Sequence, residues 1–273
     1  METVPVKDIA LSGTVMLYGK PELLSKEAHG SLGLNAAPTR FGFAVGAHMC
    51  PLTVPEFGPA SLSFPIIFVG DEYSPVAVLG LSEGQNLFAT PEAGYEVDTY
   101  IPCYIRRYPF VLAGSEPGST GEERMLVGID RGYEYIVENA EYPFFKDGEP
   151  TEYTQRCIQF CNDFETQNRM TKSFIAMLKE LDLIEPRSST YTPQNPDGTQ
   201  GETQTIASFF GVSEARLNAL PAAKLAELRD SGALQQIYAH LVSQFGWDRL
   251  ILRAMDRVQK QLDADAAAGA ANA

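Results

Sequence analysis

The residues best suited to bind a charged ligand are two adjacent arginines, Arg106 and Arg107, within residues 100–110. Tyr104 and Tyr108 flank them. A guanidinium group can donate two parallel hydrogen bonds to one carboxylate, and its flat face stacks on aromatic rings. The segment therefore predicts a site that grips a carboxylate, either of a small ligand or of a protein partner.

An internal ion pair is the alternative interpretation of these arginines. A guanidinium without a partner is costly to bury, and Glu56 is an available counterion. If the segment is a strand, neighbouring side chains point to opposite faces, so at most one of the two arginines faces the core. The candidate site thus comprises Glu56, Tyr104, Arg106, Arg107 and Tyr108. The variant Arg107→Ala is expected to lose partner capture while the fold is retained.

The four cysteines do not predict a disulfide framework. They stand at positions 50, 103, 157 and 161, without the density of a small secreted domain. Cys157 and Cys161 are four residues apart in a segment that is predicted to be helical, so they share one face. We expect packing there, because cysteine is among the most buried residue types. A zinc site would need His48 and Cys50 as further ligands.

The three histidines, His29, His48 and His240, lie outside any recognised metal or nucleophile motif. His240 has apolar neighbours in a helical pattern and is expected to be a hydrogen-bonded packing residue. No glycine-rich loop for a phosphate occurs in the sequence. We therefore expect neither a cofactor nor a metal.

Composition excludes several classes of protein. The chain has 273 residues, 44% of them hydrophobic, which is enough to fill a core. Lys and Arg number 21 against 35 Asp and Glu, and the net charge of −14 disfavours nucleic acid as a partner. The longest apolar stretches are far shorter than the roughly 20 residues of a membrane-spanning helix. The first residues lack the pattern of a secretory signal, so a cytoplasmic location is expected, with a signal-independent route to the cell surface as the alternative.

The first half, residues 1–150, is predicted to be rich in β-structure. Short runs of β-branched and aromatic residues alternate there with glycine and proline. The clearest unit is a hairpin in which residues 62–69 and 76–81 flank a turn. Pro65 lacks an amide donor, so it is expected at the beginning of its strand or at a sheet edge. Further strands are expected at residues 41–45, 100–105, 109–113 and 125–129.

The second half, residues 151–262, is predicted to be helical, because apolar residues recur there at three- and four-residue steps. Residues 187–203 contain almost no apolar residue and are expected to form a mobile loop. The Ala-rich tail, residues 263–273, is expected to be disordered. The predicted fold class is α+β, with a mostly antiparallel, β-rich N-terminal half packed against a helical C-terminal half.

Several blocks of the sequence, in this order along nearly the whole chain, resemble the bacterial SapC proteins. The blocks are residues 16–34, Pro51-Leu52 with Glu56-Phe57, residues 64–68, residues 78–88, residues 100–110, Gly148-Glu149-Pro150 and residues 232–241. The resemblance implies an association with paracrystalline surface layers and their secretion loci. It implies no particular catalytic residue and no cofactor.

We expect a non-enzymatic binding or accessory protein in surface-layer or outer-envelope biology. One alternative is an enzyme that acts on a small carboxylate or peptide, with Glu56 as acid or base, an arginine as anchor and a histidine assisting. A further alternative is a component of the surface lattice. The acidic charge suits calcium-assisted assembly, although the pattern of a calcium loop is missing. The oligomeric state stays open.

Overall fold

The predicted α+β class is confirmed: strands dominate the first half of the chain and helices the second. The computed structural model describes residues 16–113, 126–193 and 198–271. Its strands are β1 Pro21–Leu23, β2 Leu32–Leu34, β3 Met49–Pro51, β4 Ile66–Val69, β5 Ser74–Val78, β6 Ala89–Thr90, β7 Gly94–Tyr95, β8 Phe110–Ala113, β9 Leu126–Asp130, β10 Ile136–Glu138, β11 Tyr142–Pro143, β12 Phe145–Lys146, β13 Glu149–Pro150, β14 Ile184–Tyr191 and β15 Gln204–Val212. Its helices are α1 Lys26–His29, α2 Phe57–Ser61, α3 Cys103–Arg106, α4 Glu152–Glu180, α5 Glu214–Asn218, α6 Ala222–Asp230, α7 Ala233–Ser243 and α8 Gly246–Ala271.

A five-stranded antiparallel sheet joins the two halves. Its strand order is β14-β15-β4-β5-β3, so two strands from the second half extend the sheet of the first. The prediction of a helical second half is therefore wrong at residues 184–186 and 204–212, which belong to β14 and β15. The predicted hairpin is confirmed as β4 and β5, with Ile66 opposite Ala77. Pro65 directly precedes β4, at the position where a missing amide donor leaves the ladder intact. The two halves of the sequence therefore share one sheet and one main core.

Two of the expected strands are helical instead. Residues 41–45 fall largely in the 3-10 helix Gly42–Gly46, and residues 103–105 belong to α3. Aromatic and β-branched residues favour strands in general, but local backbone geometry overrides that preference here. Phe41 has a left-handed φ of 52°, and the carbonyl of Pro102 accepts the amide of Arg106 at 3.0 Å, closing a helical turn. The strands expected at residues 109–113 and 125–129 are confirmed as β8 and β9, although Met125 lies outside the described residues.

The loop expected at residues 187–203 is wrong for its first part. Residues 187–191 complete β14 and pair with β15 in the register Arg187 opposite Phe209. Serine and threonine fit a strand whose outer face is exposed to water, so a lack of apolar residues did not exclude one. Residues 194–197 of this segment lie outside the described part of the chain.

The prediction that residues 263–273 are disordered is also wrong, because α8 continues to Ala271. Alanine has the highest intrinsic helix propensity, so an Ala-rich segment can continue a helix that is already nucleated. Residues 272 and 273 lie outside the described part of the chain.

The helix α4 is the longest element and supports the first half of the molecule. Thr151 caps it by accepting the amide of Thr154 at 3.3 Å. The apolar repeat predicted a buried stripe that includes Phe164, Met170 and Phe174. Phe164 and Phe174 are buried, and Phe174 meets Phe57 edge to face at 5.9 Å, but Met170 is 53% exposed. No helix in the described ranges is both long enough and apolar enough to cross a membrane.

His240 of α7 is a buried packing residue, as predicted. Its Nε2 accepts the amide of Val212 at 3.0 Å, and its ring stacks on Phe68 at 4.7 Å. Burial, assisted by the positive charge of Arg187, lowers the pKa of His240 to about 3. The imidazole therefore stays neutral in the folded protein, and the sheet depends on that neutral form.

This histidine predicts a loss of stability on mild acidification. Because the folded pKa lies below the value near 6.5 of an unfolded histidine, only the unfolded chain binds the proton between those values. Neutral His240 makes its full contribution to the free energy of unfolding above pH 6.5. Between pH 7 and pH 5 this contribution falls by about 2 kcal/mol. Urea unfolding should show that the stability advantage of the wild type over His240→Gln narrows by about this amount. A difference in unfolding free energy between the two proteins that stays constant from pH 7 to pH 5 would contradict the lowered pKa of His240.

Candidate functional site

Only one of the two arginines is buried, as expected, but they lie on a helical turn and not on a strand. Pro102 precedes α3, and the amide of Arg107 bonds the carbonyl of Cys103 at 3.0 Å. Successive side chains of such a turn diverge by about 100°. Arg106 is exposed, whereas Arg107 is only 9% exposed.

The guanidinium of Arg107 lies among aromatic rings. Its central carbon is 4.2 Å from the ring centroid of Tyr104 and 4.6 Å from that of Phe164. Its Nε makes no hydrogen bond to any described residue, and no described carboxylate lies within ion-pair distance. Contacts with ring faces compensate part of the lost hydration of a cation. The internal ion pair between an arginine and Glu56, the alternative interpretation from the sequence, is therefore absent for Arg107 in the described residues.

Glu56 binds backbone and hydroxyl groups instead of an arginine. Its Oε2 accepts the amide of Thr53 at 2.9 Å and the hydroxyl of Thr53 at 2.8 Å. Its Oε1 accepts the Tyr100 hydroxyl at 3.0 Å and the Cys103 amide at 2.6 Å. Glu56 is only 3% exposed, so its carboxylate is enclosed by donors. It holds the beginning of α3 against the 3-10 helix Val54–Glu56.

Arg106 contacts Tyr100, Cys103 and Phe160. Its Nη2 donates to the Tyr100 hydroxyl at 3.2 Å and to Cys103 Sγ at 2.8 Å, and its guanidinium lies 5.5 Å from the ring centroid of Phe160. Arg106 and Glu56 are thus linked through the hydroxyl of Tyr100 and not directly. Burial, with the negative charge of Glu56, raises the pKa of Cys103 to about 11, so this thiol is not an activated nucleophile.

Tyr108, the remaining predicted residue, belongs to a different cluster. Its hydroxyl donates to Asp130 at 3.0 Å, and its ring stacks on Phe43 at 4.1 Å. Burial raises the pKa of Asp130, but the amides of Gly19, Lys20 and Gly132 and the Tyr108 hydroxyl outweigh burial and lower it below its usual value. Tyr108 lines a cavity of about 500 Å³ with Phe43, Tyr133 and Tyr135 on another face of the segment.

The sequence did not predict the part that α4 takes in the site. Phe160 and Phe164 are one helical turn apart, and each lies beneath one of the two arginines. Phe164 was recognisable as a residue of the buried stripe, but nothing in the sequence indicates that this stripe meets α3. Tyr100, which links Arg106 to Glu56, lies in the predicted segment.

The cysteines and histidines do not extend the site. Cys161 is buried and Cys157 packs against the same cluster, so packing is confirmed for this pair. His29 Nε2 lies 2.9 Å from Glu22, far along the chain from Glu56. Across the described ranges, no three His, Cys, Asp or Glu side chains are grouped so as to hold a metal ion.

The adjacent arginines should differ sharply in their effect on stability. Arg107→Ala empties the space between Tyr104 and Phe164 and is expected to lower the free energy of unfolding by about 2–3 kcal/mol. Arg106→Ala changes an exposed side chain, and we expect less than about 1 kcal/mol. Urea unfolding of both variants measures the two effects, and equal losses would contradict the geometry. Arg107→Ala is therefore a poor test of binding, contrary to the expectation from the sequence.

Comparison with known proteins finds one family whose model covers all the residues of the candidate site. The family model described as SapC matches residues 24–250, which include Glu56, α3 and the supporting face of α4. No curated protein and no solved structure matches the chain. The match extends over most of the sequence and agrees with the resemblance carried by the motifs. The chain belongs to the SapC family.

Proposed function

We propose that this protein is a non-enzymatic binding or accessory protein of the bacterial surface layer or outer envelope, and that its arginine pair receives a carboxylate of the partner. The observation that carries the proposal is that neither Arg106 nor Arg107 meets a carboxylate in the described residues. The link to the surface layer is what the SapC resemblance implies.

The exposed arginine has donors to offer. Arg106 uses Nη2 for Tyr100 and Cys103, while its Nε–H and Nη1–H make no hydrogen bond within the described chain. A guanidinium carries five donors in a fixed plane, so a carboxylate can approach the unused ones. The positive charge of Arg107 lies behind, shielded from water. In a chain with a net charge of −14, such a local positive field is needed to attract an anion.

The geometry favours binding over acid–base catalysis. Each carboxylate oxygen of Glu56 already accepts two hydrogen bonds, so it has little capacity left for a substrate proton. His240 is bonded to Val212, and His29 to Glu22. An enzyme that uses Glu56 with His29 or His240 would require groups that these contacts hold apart.

We place the protein in the cytoplasm, with the cell surface as the alternative. An accessory role in building the surface layer requires contact with the subunit before or during its export. Fractionation of the native cell tests this placement. Recovery in the cytosolic fraction agrees with an accessory protein, and recovery in the surface fraction would favour a lattice component.

Binding should depend on the exposed arginine. The ligand to use is the surface-layer subunit extracted from the bacterium that makes this chain, and the measurement is biolayer interferometry. Arg106→Gln removes a charge-assisted hydrogen bond and should weaken binding at least about 10-fold. The matched control is Arg156→Gln, which changes an exposed arginine of α4 that pairs with Glu152.

The outcomes separate the role from the site. Equal binding by Arg106→Gln and the wild type would contradict the site while leaving the role intact. No binding by the wild type would contradict the proposed partner. Weaker binding by Arg156→Gln to the same degree would show that general charge, rather than the arginine pair, holds the partner.

A further inference from the structure

Only the first half of α8 packs against the rest of the molecule. Leu250 is buried, and Arg257 donates to the carbonyls of Asn86 at 2.7 Å and Ala89 at 3.1 Å. From residue 258 to residue 268 every residue is exposed. We call residues 258–268 the arm. Isolated helices of this length are marginal in water, so the arm lacks the tertiary packing that normally stabilises a helix.

Several large apolar side chains on one side of α8 are exposed to water, interrupted by Asp248 and Gln259. Phe245, just before the helix, is 83% exposed, Leu252 is 64% exposed, and Met255, Val258 and Leu262 are each about half exposed. Soluble proteins seldom leave a contiguous apolar stripe of this kind uncovered. The exposed stripe therefore indicates a surface that binds another molecule.

The spacing of the stripe indicates another helix as that partner. Positions 245, 252, 259 and 266 are seven residues apart and carry Phe, Leu, Gln and Ala. Positions 248, 255 and 262 form a second series, three residues further on, and carry Asp, Met and Leu. A repeat of three and four residues keeps apolar side chains on a seam that pairs with a second helix.

We propose that this stripe binds a second copy of the same chain, with the two α8 helices antiparallel. In the register that places Leu252 opposite Leu262 of the second copy, Met255 faces Gln259. The arm of each copy then covers the exposed stripe on the packed half of the other α8. Both stretches are about 11 residues, or about 16 Å, long.

Two features of the chain favour a second copy over an unrelated helix. The antiparallel register places the bulky Phe245 beside the Ala-rich end of the other α8, so large side chains meet small ones. It also places Asp263 of the second copy beside Arg249, a residue of opposite charge whose Nη2 donates to the carbonyls of Leu62 and Ser63. Asp256 would face its own copy across the two-fold axis, but Lys260 already neutralises it at 2.7 Å.

Sedimentation equilibrium over a range of concentrations tests the association. We expect the wild type to reach twice the mass of one chain at high concentration. The double variant Leu252→Lys with Leu262→Lys should weaken self-association at least about 100-fold, because it removes two buried leucines from each copy. Met170→Lys, which changes an exposed apolar residue of α4, is the matched control and should dimerise like the wild type.

Thiol cross-linking tests the orientation. In a Cys157→Ser background the other native cysteines are buried. The double variant Leu252→Cys with Leu262→Cys should form an interchain disulfide under mild oxidation, and Leu262→Cys alone should not, because its two copies lie about 15 Å apart along the seam. Circular dichroism of each variant confirms that it is folded.

Two results would overturn the proposal. A wild type that stays monomeric at every concentration would mean that another protein covers the stripe. A disulfide formed by Leu262→Cys alone would mean that the helices are parallel, so that the arms do not cover the stripes on the packed halves.

Discussion

The guanidinium of Arg107 lies between the rings of Tyr104 and Phe164 and meets no carboxylate in the described chain. A buried charge is usually neutralised by a partner, because desolvation costs several kcal/mol. Aromatic faces stabilise the cation without cancelling its charge. The guanidinium of Arg107 therefore stays charged next to the exposed Arg106 in the sequence, without a carboxylate partner of its own among the described residues.

Two elements hold this arrangement in place. Glu56 accepts the amide of Cys103 at 2.6 Å and fixes the beginning of α3, so its negative charge orients the turn without pairing with an arginine. Phe160 and Phe164 are four residues apart on α4 and share one face of that helix. Each supplies a ring beneath one arginine. The helix α4 thus supports both guanidinium groups through these two rings.

Periodicity and turn chemistry predicted much of the fold, including the β4–β5 hairpin and the change to helix after residue 150. They were wrong at residues 100–105, where aromatic composition favours a strand but hydrogen bonds to the Pro102 carbonyl close a helical turn. They were also wrong at residues 187–191, where strand pairing with β15 depends on tertiary contact. Three of the five predicted site residues, Tyr104, Arg106 and Arg107, lie on that one turn. The structural roles of Glu56 and Phe164 depend on contacts between segments that are distant in sequence, and a local sequence pattern does not encode such contacts.

The most direct test of the central claim observes the arginine side chains themselves. Nitrogen-15 NMR can follow the Nε–H groups of Arg106 and Arg107 while a short peptide with a free C-terminal carboxylate is added, with the amidated peptide as control. The arginine pair predicts saturable shifts of these resonances with the acid, little change with the amide, and loss of the response in Arg106→Gln. Resonances that do not move with either peptide, or that move equally with both, would contradict an anion-binding role.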